Sequence, residues 1–304
     1  NKVWNASRFI MMNMDENIID EPSHDLFTPA DRWILSAANT LAKDVTDNMD
    51  KFELGIAVQK VYDFIWDEFC DWYVEMAKFR IYHKEEAPEA ANCALWVLKT
   101  VLAQGLKLLH PFMPFITEEI WQHLPHEGES IMISEWPEYD EKLNFPKDVE
   151  SMELIMQSIS AIRNRRAEMN VPPSKKAKVI IVTDKTDVFK QGTAFFEKLA
   201  SASEAVVQTD KSGISDNAVN VVVPSAEVFL PLDELVDKTK ELERLNAEKK
   251  KLEGEIKRVE GKLNNAGFVS KAPQKVVDEE KAKGEKYKEM LEKVLENIKS
   301  MENM

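Results

Sequence analysis

The strongest constraint on this chain lies in its last seventy residues. Positions Leu242, Leu245, Lys249, Leu252, Ile256, Val259 and Leu263 alternate at intervals of three and four, and the alternation resumes at Gly284, Tyr287, Leu291, Val294, Ile298 and Met301. That spacing is the seam of a coiled coil. Neither stretch can be stable alone, because a helix with one apolar stripe must bury it against something. Each is the other's nearest partner. The interrupting "KLNNAGFVSKAPQKVV" carries the chemistry of a reversal. If the first helix ends at Ala266, Gly267 takes the left-handed position that closes it and Phe268 packs back on Leu263. Pro273 then opens a second helix, with Asp278, Glu279 and Glu280 near its positive end. The expectation is a long antiparallel coiled-coil hairpin of roughly 40–50 Å at about 1.5 Å per residue. The same seam also allows one long helix that dimerises in parallel, with Gly267 as a flaw in it.

Two other textures precede the hairpin. Residues 1–124 read as helices: Thr28 caps one, with Pro29 at its first position and Asp31 in its first turn. A long helix over Phe52–Tyr82 and another over Asn92–His110 are apolar on more than one side, as central helices of a bundle are. "MPFITEEIWQHL" is a short capping helix and "PHEGESIMISEWPEYDEKLNFP" an irregular strap leaving the bundle. From Lys147 the pattern changes to a helix with Met152, Ile155, Met156, Ile159 and Ile162 on one face, stopped by "VPP". The β-branched runs "KVIIV", "EAVVQ", "VNVVV" and "EVFLP" follow, with "DVFKQGTAFFEKLA" as a helix between the first two. The expected fold is therefore mainly α: a helical bundle over 1–146, a small α+β linker domain over 147–231 and the hairpin over 232–304.

Charge divides along the same lines. The net charge of −14 lies wholly in residues 1–146, with 12 Lys+Arg against 26 Asp+Glu, whereas 147–231 carry 11 of each and 232–304 carry 17 of each. An acidic surface opposes phosphate, so the balance argues against non-specific nucleic-acid binding but leaves local basic clusters open. Cys70 and Cys93 sit far apart in apolar helical stretches, the setting of buried, reduced thiols in a cytosolic protein. Lys99 and Lys107 interrupt the longest apolar region before it reaches membrane-spanning length. The absence of an initial Met suggests a piece of a longer polypeptide. No glycine-rich phosphate loop occurs, and no cofactor or metal is expected. His123 and His126 flank a proline in an exposed loop, and His110 faces the negative pole of its helix. Asp63, Asp67, Asp71 and Glu75 recur every four residues, unfavourable without partners, as a solvated face or one that docks on basic groups elsewhere. Basic residues gather at Arg163, Arg165, Arg166, Lys175, Lys176 and Lys178 and again at Lys249, Lys250, Lys251, Lys257, Arg258 and Lys262. Such clusters can hold phosphates, or simply keep a helix soluble.

Several motifs carry a family resemblance. "WNASRF" (4–9), "FIWDEFCDWYVEMAK" (64–78), "HPFMPFITEEIW" (110–121) and "IMISEWP" (131–137) resemble the anticodon-binding helical domain of class I aminoacyl-tRNA synthetases. "IRNRRAEMNVPPSKKAKV" (162–179) and "GFVSKAPQKVVDEEKAK" (267–283) are more narrowly similar to bacterial valyl-tRNA synthetases, with a departure at Arg165, where an apolar residue is more usual. The HPFMPF block is shared with leucyl and isoleucyl relatives.

The resemblance implies tRNA(Val) as partner and a cytoplasmic, monomeric parent that joins valine to tRNA with ATP. It also implies catalytic and editing domains outside these residues, since neither the HIGH nor the KMSKS signature occurs; the piece alone is expected to lack activity. Editing is needed in such enzymes because an apolar pocket rejects the near-isosteric threonine only about a hundredfold. Asn5, Arg8, Phe9 and Val74 are implied to meet the anticodon loop, where Phe9 could stack on an unpaired base. Arg163, Arg165, Arg166, Lys175, Lys176, Lys249, Lys250, Lys257, Arg258 and Lys262 are the candidates for the tRNA backbone. A helical scaffold that shares only ancestry, or the matching region of an isoleucyl or leucyl enzyme, remains the alternative at this stage.

Overall fold

The computed structural model describes residues 1–14, 21–235, 238–265 and 274–302. They divide into two compact units, Asn1–Ser160 with Lys185–Phe195, and Ala161–Asp184 with Phe196–Met304. No described helix is long and apolar enough to cross a membrane.

The first unit is helical: α1 (Lys2–Asn13), α2 (Pro29–Asp50), α3 (Leu54–Asp63), a π-helical stretch Phe64–Tyr73, α4 (Val74–Tyr82), α5 (Pro88–Leu109) and α6 (Pro114–Trp121). Helix α2 starts on a full capping box, in which Thr28 Oγ1 accepts from Asp31 N and Asp31 Oδ2 accepts from Thr28 N at 2.8 Å. Two orphan amides are thereby satisfied. The helix expected over 52–82 is continuous from Leu54, but its middle is wound wider than an α-helix. Its buried residues fall in pairs, Phe64/Ile65, Phe69/Cys70 and Tyr73/Val74, spaced by five and then four. A π turn keeps those large rings on the inner side, where 3.6 residues per turn would rotate them away. Helix α5 begins at Pro88, earlier than its apolar pattern suggested, because proline is preorganised for the first helical position.

The strap after α6 does not leave the bundle; it returns to α2. Asn39 exchanges two 2.8 Å hydrogen bonds with the backbone of Asp140, and Ser36 Oγ donates to Leu143 O at 3.0 Å. Trp136 Nε1 donates to Thr46 Oγ1 at 2.8 Å. His110 caps the end of α5, and its Nδ1 sits 2.7 Å from Thr117 Oγ1, which ties that end to α6.

Helix α7 (Pro146–Glu168) follows, with Met152, Ile155, Ile159 and Ile162 buried as its periodicity predicts. The next helical run is broken into α8 (Thr186–Gln191) and α9 (Thr193–Leu199) around Gly192, where a Cβ would lie 2.9 Å from the Ile155 side chain.

The second unit holds a four-stranded sheet in the order β2-β1-β4-β3, from β1 (Ala177–Val182), β2 (Ala202–Gln208), β3 (Val219–Val223) and β4 (Ala226–Leu230). Strand β1 pairs parallel with β2 and antiparallel with β4. The β3–β4 hairpin turns at Pro224–Ser225, with Ser225 at φ 63°. After α10 (Leu232–Leu235), helices α11 (Lys238–Leu263) and α12 (Gln274–Glu302) lie side by side. Leu245 and Leu252 cluster with Val294, Tyr287, Leu291 and Ile298, so the start of one helix meets the end of the other. Toward the opposite end Lys262 reaches Glu280 at 3.1 Å, and a Cβ on Gly284 would come within 3.2 Å of Val259. Gly267, Phe268 and Pro273, expected to make the turn, lie outside the described residues.

Candidate nucleic-acid interface

The inner scaffold of the first unit is a buried ionic network. Asp31, fully buried, receives Tyr73 OH at 2.5 Å and a two-pronged contact from Arg80, Nη1 to Oδ2 at 2.8 Å and Nη2 to Oδ1 at 2.5 Å. One carboxylate thus caps α2, ties down the end of the π stretch and neutralises α4. Burial, then the field of Asp31, raises the Tyr73 phenol well above its ordinary value. For Arg80 burial opposes the charge, but the hydrogen bonds to Asp31 and the fields of Tyr73 and Asp31 outweigh it and raise its pKa. Cys70 and Cys93 are both free and buried, and burial pushes each thiol up to about 11.

Helix α1 lies along this scaffold. Its buried edge is Ala6, Ser7 and Ile10, which leaves Asn5 and Arg8 exposed and Phe9 half-buried. Phe9 meets Tyr82 edge to face, ring centres 6.4 Å apart, and Lys78 Nζ stands 5.4 Å from the Phe9 ring. Toward the start of α1, Lys2 Nζ lies 4.1 Å over the Trp66 ring and 2.7 Å from Asp71, while Trp66 stacks on Tyr62 at 5.4 Å. Helix α1 thus carries two ring–cation contacts, Lys2 with Trp66 and Phe9 with Lys78, and aromatic faces beside cations are what single-stranded nucleic acid binds. The acidic stripe is part of this arrangement. Asp71 is paired with Lys2, Glu75 with Lys78, and Asp63 accepts from Gln59 at 2.7 Å. Glu68, on the same stretch, escaped the sequence reading. Burial, then the charges of Glu153, Asp67 and Asp63, raise it to about 7. No described group of three or more His, Cys, Asp or Glu is placed to hold a metal.

The second unit presents its cations differently. Arg163 Nε donates to Leu199 O at 2.6 Å, Arg165 pairs with Glu168 at 3.0 Å, Lys175 is half-buried and Lys176 is exposed. On α11, Lys250, Lys257, Arg258 and Lys262 are exposed and Lys249 is half-buried. The charge on this face is interleaved: Arg258 sits 3.5 Å from Glu255 and Lys249 4.0 Å from Glu253.

Comparison with known proteins joins the two surfaces. Residues 31–181 match the model of the anticodon-binding domain of tRNA ligases, and residues 237–302 match that of the valyl-tRNA synthetase tRNA-binding arm. The valine–tRNA ligase of Clostridium perfringens is 57% identical over 305 residues, which cover 99% of this chain and 34% of that protein. That of Clostridium acetobutylicum is 53% identical over 304 residues, with the same coverage of each chain. That of Bacillus anthracis is 45% identical over 308 residues, again covering 99% and 34%. The chain belongs to the valine–tRNA ligase family. It spans about a third of the length of these curated relatives.

Within this family member, two of the residues expected at the interface are not at the surface. Val74 is 5% exposed, because it follows the π stretch on the inner side next to Tyr73. Arg166 is 4% exposed: its guanidinium donates to Pro172 O and Lys175 O, and its Nη1 is buried without an acceptor. Burial lowers its pKa. Arg166 ties the end of α7 to the loop behind it. The signal for this was present in "VPPSKK", a loop with carbonyls but few amide partners after a helix end.

Proposed function

We propose that this chain is the tRNA-recognition part of a valine–tRNA ligase. The helical unit takes the anticodon stem-loop of tRNA(Val), and the α11–α12 pair, acting as an antiparallel coiled-coil arm, takes the outer corner of the tRNA. The reading rests on one observation above all: an anticodon-binding match and a valyl-specific arm match fall in a single chain. The second match favours a valine enzyme over its isoleucyl and leucyl relatives. On this reading Asn5, Arg8 and Phe9 meet unstacked loop bases, since such bases are held by aromatic stacking and edge hydrogen bonds. Arg163, Arg165, Lys175, Lys176, Lys249, Lys250, Lys257, Arg258 and Lys262 position the backbone without reading sequence. The three parts 1–146, 147–231 and 232–304 act as anticodon reader, linker and arm. ATP-dependent aminoacylation and editing belong to the parts of the parent that this chain does not span. The chain alone is a cytoplasmic monomer that binds tRNA and does not aminoacylate it.

The test is a titration of the chain with tRNA(Val) and with a second tRNA between about 50 and 200 mM salt. Tighter binding of tRNA(Val), a linear fall of log affinity with log salt, and a loss of about 5- to 100-fold on Phe9→Ala are expected. Equal affinity for both tRNAs, insensitive to salt, overturns the reading.

A further inference from the structure

We propose that Tyr62 and Trp66 form a second base-stacking platform, distinct from Phe9, which holds an unpaired nucleobase of the bound RNA while its phosphates lie elsewhere. The inference rests on the tRNA-binding reading and extends it to residues outside WNASRF. The two rings stack at 5.4 Å with 17° between their planes, yet 50% of Tyr62 and 40% of Trp66 remain exposed. Two stacked rings left this open on a folded unit offer π-faces on which a base can stack. Rigidity is supplied by a lysine that is itself ion-paired. Lys2 lies over Trp66 at 4.1 Å and is itself held by Asp71 at 2.7 Å, so α1 clamps the indole in place. A platform fixed in this way loses little side-chain freedom when a base stacks on it.

The neighbouring charges define the ligand. Asp63 and Asp67, which follow Tyr62 and Trp66 in sequence, are exposed; Asp63 accepts from Gln59, and the one described cation on the rings, Lys2, is already paired with Asp71. Uncompensated among the described residues, the acid at Asp67 repels phosphate and accepts hydrogen bonds, so the ligand this surface tolerates is a base edge carrying amino donors and not a sugar–phosphate backbone. Stacking there adds affinity without releasing counterions. That separates it from the lysine and arginine contacts, each of which steepens the salt dependence.

The experiment compares the chain with Tyr62→Leu and Trp66→Leu variants. The probes are the anticodon stem-loop hairpin of tRNA(Val) and a blunt RNA duplex with the same number of phosphates. Each variant is expected to bind the hairpin about 5- to 100-fold more weakly, with an unchanged salt slope and unchanged duplex binding. Tyr62→Trp, which preserves a ring, is expected to retain or tighten hairpin binding, and it keeps the test open if a truncated variant fails to fold. Hairpin affinity that survives both truncations while Phe9→Ala weakens it overturns the platform and leaves the tRNA reading intact; it would assign the exposed rings to a protein partner. A wild-type chain that does not distinguish hairpin from duplex overturns both.

Discussion

Helices α2 and α11 are of similar length, 22 and 26 residues, yet they are stabilised in different ways. Half of α2 is buried: eleven residues, among them the polar Asp31, Ser36 and Asn39, so it is held on several sides and by specific hydrogen bonds. On α11 the buried positions among the described side chains are Leu245, Leu252 and Val259, a single line against α12. The first arrangement over-determines where each side chain goes, which suits the base-reading surface proposed above. The second fixes only that two helices run together, which is enough for the proposed phosphate contacts. The acidic excess follows the same division: −14 on residues 1–146 and zero on 232–304.

The contrast predicts effects of unequal size. Asp31→Ala should be the most damaging change, because it leaves the Arg80 charge and the Tyr73 hydroxyl buried without their acceptor and removes one half of the α2 capping box, the acceptor for Thr28 N. A loss of about 3–5 kcal/mol is expected for breaking a buried pair from one side. Urea unfolding followed by Trp fluorescence measures it; a loss below about 1 kcal/mol would mean that the helical unit does not depend on its network. Leu252→Ala in the arm should cost about 2–3 kcal/mol, toward the low end for buried leucine because a two-helix seam can collapse around the gap. Hydrogen exchange should show that loss confined to α11 and α12. Protection lost equally throughout α2 and α5 would erase the distinction.

The smallest effect is one of pH. A carboxyl raised to about 7 in the folded state stabilises the fold most when protonated. Its contribution is complete below the unfolded value near 4.5 and is lost as pH rises through 7, because the unfolded chain gives up that proton first. Glu68→Gln should therefore flatten the decline in stability between about pH 5 and pH 8, measured as thermal midpoint against pH. An unchanged slope in the variant would show that Glu68 does not sense its surroundings in this way.

Much of this architecture was legible in the sequence, and what was missed has a common physical origin. Period-2 and period-3.6 patterns placed α2, α7 and all four strands within a few residues, because burial of one face writes itself into spacing. The π stretch was hidden because its five-residue step does not belong to either period, although the Phe64–Phe69 interval carried it. The Asp31–Arg80–Tyr73 network joins positions 42 and 49 residues apart, and each member reads locally as something ordinary: a capping acid, a helix-end base, one more aromatic. The same blindness applied to Arg166. A basic cluster at a helix end looks alike whether its charge faces solvent or loop carbonyls, and only the proline-rich loop after it carried a distinguishing signal. Asn5 and Arg8 came from the family resemblance and not from periodicity, and both lie at exposed positions of α1, whose buried edge is Ala6, Ser7 and Ile10.

The sheet order has a consequence for how the protein is made. Strand β1 lies in the interior of the sheet, but both of its neighbours come later in the chain, β2 from Ala202 and β4 from Ala226. At translation rates of about 5–20 residues per second, "VIIV" emerges about 2–10 s before the ribosome has finished delivering the strand that closes its second edge. During that interval an apolar β edge is on offer to any other nascent chain. Synthesis speed through residues 183–226, and chaperone occupancy there, should therefore bear on the yield of this protein more than changes of equal size in the helical unit, whose contacts are largely complete before β1 is made.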